Sequence, residues 1–182
     1  MAERLIKHSG NYRNMLSYKK TVVIFEMTYY FCHKYLERGD RTIDQMVQAA
    51  RSGKQNLIEG SAASATSAKT EIKLVNVAKA SLQELLEDYI DFLRTRGHRQ
   101  WEEDSKELLA MRELGKNHED APFFMNLCET RPPETIANMA IVLIKQADYL
   151  IFKQLQTLEE NFINEGGFSE RMMRVRKERR GY

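Results

Sequence analysis

Four stretches of this sequence repeat apolar residues at a helical interval, and that repetition restricts the fold more than any other feature. Between positions 18 and 38, Tyr18, Val22, Phe25, Tyr29, Cys32 and Leu36 alternate steps of four and three. That spacing places them on one side of an α-helix, with Val23, Met27 and Tyr30 as a second strip beside them. Gly39 stands where a helix-ending glycine belongs. A second helix is expected over 42–59, with Thr42 as N-cap, Asp44 in the first turn and a stripe of Ile43, Met46, Val47, Ala50, Leu57 and Ile58. Gly60 is its expected stop, and 61–67 its loop. A third helix is expected over 68–96, on Ile72, Val75, Ala78, Leu82, Leu85, Leu86, Tyr89 and Leu93, closed by Gly97.

The last long helix is expected over 133–164, with proline suited to its first turn. It carries two strips rather than one. The first is Ile136, Met139, Ala140, Leu143, Ala147 and Leu150; the second is Ile141, Ile144, Ile151, Leu155, Leu158 and Phe162. The interval 98–133 breaks the pattern. A short amphipathic helix is expected near 101–114 with Leu108, Leu109, Met111 and Leu114 apolar, then a packed connection or short helix at 121–128. Glycine (9) and proline (3) are scarce, which disfavours a turn-rich β-protein. The reading is an all-α, antiparallel up-down four-helix bundle. It comprises a polar leader (1–17), a bundle domain (18–165, with the 98–133 insertion) and a basic C-terminal tail (166–182).

Few chemistries survive inspection. His8, His33, His98 and His118 never fall three or four residues apart, so a bundle metal site has no support. Cys32 and Cys128 lie far apart without a Cys-x-x-Cys pair, and are expected to be reduced and buried. Phosphate-loop, dinucleotide and esterase motifs are absent. The acidic run Glu84, Glu87, Asp88, Asp91 reads as a solvated helix face. No catalytic residue, metal or cofactor is expected, and the protein is read as a non-enzyme. Uninterrupted apolar runs are short, Met139–Ile144 being an example, so no bilayer-crossing helix is expected. The N-terminus lacks an apolar signal core. The expected location is the cytoplasm.

Charge is distributed unevenly. The chain carries +2 overall, but residues 1–20 and 170–182 each carry +4, leaving an acidic middle. Basic ends suit anionic partners such as nucleic acid. Arg51 and Lys54 share a helix face, and Lys69 and Lys73 lie just across the expected loop, so the four are candidates for one phosphate-binding patch. The tail adds Arg171, Arg174, Arg176, Lys177, Arg179 and Arg180. The bland reading of both clusters is a charged, solubilising surface. The second strip of the last helix, Ile141, Ile144, Ile151 and Leu155, exceeds what one bundle needs and is expected to be a homo-oligomer interface.

Residues 49–60 and 77–85 carry a pattern with family likeness. Asn56, Glu59 and Gly60 spell Asn-x-x-Glu-Gly, and Ser81 through Leu85 spell Ser-Leu-x-Glu-Leu, with Glu84 its acid. In these motifs the chain resembles the bacterial four-helix-bundle proteins that include those encoded by intervening sequences in ribosomal RNA genes. The accessory variability determinants of diversity-generating retroelements belong there too. The likeness covers about 18–96 and, more loosely, the last helix; 165–171 looks like the C-terminal extension of a subset. Gly53 stands where the family has an aliphatic residue, and Ala80 where it has glycine. The resemblance implies a left-handed antiparallel bundle assembling into a ring, commonly a pentamer, without catalysis. Its retroelement members are cationic adaptors for nucleic acid and a reverse transcriptase. The expected function is therefore an oligomeric nucleic-acid-binding protein, RNA foremost. The alternative is a protein-interaction scaffold or adaptor.

Overall fold

Short polar side chains set where the helices begin. In the computed structural model, which describes residues 11–180 (backbone alone at Glu165, Phe168, Arg171 and Arg179), a 3-10 turn at Tyr12–Asn14 precedes α1, Leu16–Tyr35. Asp40 caps α2, Arg41–Ala63, by accepting from the Thr42 amide at 2.8 Å. Ser67 caps α3, Ala68–Thr95, and Ser105 caps α4, Lys106–Asn117. Asp120 caps α5, Ala121–Glu129, with proline in its first turn. Such oxygens satisfy amides that no helical carbonyl reaches. Then follow α6, Pro133–Glu165, and α7, Phe168–Arg180. Every regular element among the described residues is helical.

Several expected boundaries move. Helix α2 starts from Asp40, not Thr42, and runs through Gly60 to Ala63. Gly60 is buried, and a Cβ there would meet Val75 Cγ2 at 3.3 Å, so this glycine serves close packing rather than termination. Gly39, Gly97 and Gly166 do hold positive φ of 92°, 67° and 73° near helix ends, a conformation glycine adopts without strain. Helix α4 begins at Lys106 rather than Trp101. The leader shrinks as well. Residues 1–10 lie outside the described residues, whereas Ser17 is buried in α1 and donates to Gln154 of α6 at 3.0 Å.

Helix α2 packs on α3, α3 on α6, and α1 on α2, α5 and α6; α4 lies on α6. Every residue from Ile136 to Ile144 is consequently buried. This corrects the expected oligomer strip. Ile141, Ile144, Ile151 and Leu155 are 3, 0, 0 and 8% exposed within the single chain, so they are core rather than interface. The 98–133 insertion supplies the α4 cover that a minimal bundle lacks. Pro133–Asn164 is long and apolar enough, by length and composition, to cross a membrane, contrary to the expectation from uninterrupted runs; 61% of its most apolar window is buried inside this fold. A helix enclosed on several sides needs that much apolar surface.

The face of α1 that meets the core also differs from the expected stripe. Thr21, Ile24, Thr28 and Phe31 point inward with Val23 and Met27, while Tyr29 is 52% exposed. The hydroxyls make this possible: Thr21 Oγ1 donates to the Tyr18 carbonyl at 2.7 Å, and Thr28 Oγ1 accepts from Tyr89 at 3.0 Å. Phe31 packs its ring centroid 5.2 Å from Tyr89 and 4.7 Å from Phe92. Cys32 and Cys128 are buried free thiols, pushed up by burial to about 12 and about 11 respectively.

Candidate nucleic-acid interface

The register of the α2–α3 pair decides what the basic residues form. A Cβ on Gly53 would approach Leu82 and the Ala78 carbonyl, and one on Gly60 would approach Val75 and the Glu71 carbonyl. Lys73 therefore lies level with Gly60, and Arg51 level with the turn of Leu82. At about 1.5 Å of rise per residue, Lys73 is ~10 Å and Lys69 ~16 Å along the axis from Lys54. Arg51, Lys69 and Lys73 are exposed, and Lys54 is half-buried. The four are spread along the two helices rather than gathered in one tight patch. Lys79, further along α3, is engaged elsewhere, paired with Asp148 of α6 at 2.8 Å.

Lys54 has a partner that the sequence did not disclose. Its Nζ stands 4.2 Å from the centroid of the Phe25 ring, a cation–π distance. Phe25 leads along α1 to Tyr29, 6.4 Å on, and Tyr29 to His33, 4.2 Å on. The His33 Nδ1 lies 2.8 Å from the Tyr29 carbonyl, holding the imidazole beside the phenol. On the other flank Lys34 Nζ sits 4.9 Å above Tyr30 and 5.3 Å from the Tyr35 centroid. Phe25, Tyr29, Tyr30 and His33, with Glu26 and Lys34 of α1 and Met125 of α5, line a shallow groove. The spacing 25, 29, 33 was legible as one helical face, but an apolar-aromatic face reads as core until the partner helices are placed.

The motif residues are structural neighbours. Asn56 Nδ2 donates to the Ser52 carbonyl at 2.9 Å and to Ser52 Oγ at 3.0 Å, and Ser52 Oγ lies 2.9 Å from Ser81 Oγ. This relay joins α2 to α3 beside the glycine contacts. Glu59 and Glu84 are exposed. Glu84 lines an open cleft with Asp44 and Asp88, and burial with the neighbouring acids Asp91 and Glu84 raises the pKa of Asp88. That acidic cleft would repel phosphate. Among the described residues no three His, Cys, Asp or Glu side chains gather where a metal ion would sit.

The tail forms α7. Val175 is 7% exposed and Met172 half-buried, while Met173, Arg174, Arg176, Lys177 and Arg180 are exposed. The Arg171 and Arg179 side chains lie outside the described residues. Among the described side chains of α7, only Val175 is buried. Among known proteins, no family model, no curated relative and no solved structure matches this chain.

Proposed function

We propose that this protein is a non-enzymatic nucleic-acid-binding protein that takes single-stranded RNA across α1 and α2. The observation that carries the reading is the exposed Tyr29–His33 pair, which continues from the half-buried Phe25 under Lys54 and has Lys34 on its other flank. Bases stack on exposed rings whatever their identity, and neighbouring cations take the phosphates; such stacking contributes about 1–3 kcal/mol per base. Arg51, Lys69 and Lys73 add exposed cations on α2 and α3, and the exposed arginines of α7 add a second basic element. The framework proposed is an antiparallel up-down four-helix bundle of α1, α2, α3 and α6, supported by their closed cycle of packing. The resemblance in 49–60 and 77–85 favours a homo-oligomeric ring, in which weak contacts repeated on each subunit would add.

The test is anisotropy of a labelled single-stranded RNA at several salt concentrations. Tyr29→Ala should weaken binding about tenfold without changing the salt slope. Lys34→Glu with Lys54→Glu should weaken binding and flatten that slope, because fewer counterions are released. Truncation after Asn164 should flatten it further. Binding indifferent to Tyr29 and to both lysines would refute the reading. A second reading, a protein-interaction scaffold, is favoured by Tyr149, Phe152 and Ile163 on α6, which are 60, 44 and 78% exposed. Capture of a protein partner that survives nuclease and is lost in Phe152→Glu would support it.

A further inference from the structure

The two faces of α1 are unlike. Away from the aromatic ladder, its first turn closes a cavity of about 570 Å³ with Trp101, α4 and α6. That volume is typical of small-molecule sites. Leu16, Trp101, Leu108, Ile141, Val142 and Leu150 give it an apolar floor and walls. Its charged lining is almost wholly positive: Lys19, Lys20, Arg112, Lys116 and Lys145 against Glu119. Two of these cations are already matched, Lys19 by Glu119 and Lys116 by Glu113 at 2.7 Å. Lys20, Arg112 and Lys145 form no ion pair among the described residues.

Lys20 is the unusual member. It is 6% exposed, and its ammonium donates to the Gly115 carbonyl. An ammonium has three donors, so one carbonyl does not saturate it, and burying a charge is costly. Burial lowers its pKa against the opposing pull of the Glu119 carboxylate, which forms its ion pair with Lys19 instead. The adjoining wall is incomplete in the same sense. Gln146 Nε2 donates to the Arg112 carbonyl at 2.9 Å, but its Oε1 is buried with no hydrogen-bond partner. A Cβ on Gly115 would lie 2.2 Å from that oxygen, so any larger residue there would displace the Gln146 amide from its place beside α4.

We infer that this cavity binds an amphipathic organic acid, its apolar body lying against Trp101, Leu108 and Ile141 and its anionic head among Lys20, Arg112 and Lys145. The inference stands apart from RNA binding, since it uses none of the ladder residues. Trp101 is the only tryptophan in the chain and lines the cavity, so its emission reports occupancy directly. Titrating the full-length protein with decanoate should give a saturable change in Trp101 fluorescence. Decanol, with the same chain and no charge, should bind at least tenfold more weakly. Arg112→Glu with Lys145→Glu alters two exposed side chains, so the thermal melt should be kept; it should raise the decanoate Kd tenfold or more and leave decanol unchanged. The inference fails if decanoate gives no saturable signal, if decanol binds as tightly, or if the charge-reversed protein binds decanoate like the parent.

Discussion

Gly53 and Leu82 meet across α2 and α3 so closely that a β-carbon on the glycine would lie 2.8 Å from Leu82 Cδ2. Real β-carbons do not approach that near, so the absence of a side chain at 53 sets the separation of the two helices. Seven residues on, Gly60 repeats the device against Val75 at 3.3 Å. Two glycines at heptad spacing thus run along one seam, with the Asn56–Ser52–Ser81 relay between them. Glycine inside a helix costs up to about 1 kcal/mol relative to alanine; here close packing offsets that cost.

Gly53→Val should therefore destabilise the fold by about 1–3 kcal/mol through overpacking. Combining it with Leu82→Ala, which opens the space, should cost less than the sum of the two single changes. Urea melts of the four proteins in this cycle measure the coupling, and strict additivity would show that the seam does not depend on Gly53.

Asn138, 1% exposed, binds the turn before α4 to α6. Its Oδ1 accepts from the Trp101 amide at 2.8 Å, and its Nδ2 donates to the carbonyls of Arg99 and Glu134, each at 2.9 Å. Asn138→Ala should leave the Trp101 amide and the Arg99 carbonyl without that partner and cost roughly 1–3 kcal/mol. It should also shift Trp101 emission to the red as the indole gains water. An unchanged spectrum and melt would show that another contact holds the turn.

Ile144→Glu and Ile163→Glu should behave oppositely. Ile144 is 0% exposed, and burying a carboxylate there should cost on the order of 4 kcal/mol or more and unfold the chain. Ile163 stands in water, so its replacement should keep the melting temperature within a few degrees. If the chain self-associates through the outer face of α6, sedimentation velocity should show lower mass for Ile163→Glu with Phe152→Glu.

Glu71, half-buried at the start of α3, is pushed by desolvation from 4.5 up to about 7. Between those values the folded chain holds a proton that the unfolded chain has released. Stability from this group is thus present below pH 4.5 and is lost as pH rises to about 7. Glu71→Gln should stabilise the protein above pH 7, by no more than about 2 kcal/mol at a half-buried site, and flatten the loss between pH 5 and 7. Thermal melts across that range decide; parallel curves for both proteins would remove the effect.

The sequence by itself determined the helices. Local spacing, capping residues and positive-φ glycines are short-range properties, so the long segments and the stops at Gly39 and Gly97 were legible. Which face of each helix turned inward was decided by tertiary structure. Thr21 and Thr28 read as polar, yet both are buried, their hydroxyls bonded to the Tyr18 carbonyl and to Tyr89, while Tyr29 is left outside. The second strip of α6 read as an interface, yet it is buried within the chain, where α6 packs on α1, α3 and α4. The four basic residues of the α2–α3 pair were adjacent in expectation, but the glycine-set register spaces them along the axis. The cavity joins residues 16–20 to 100–119 and 138–150, and no periodicity connects those segments. Burial and charge convergence depend on contacts between residues far apart in the chain, and a one-dimensional pattern records which residues are apolar without recording what will cover them.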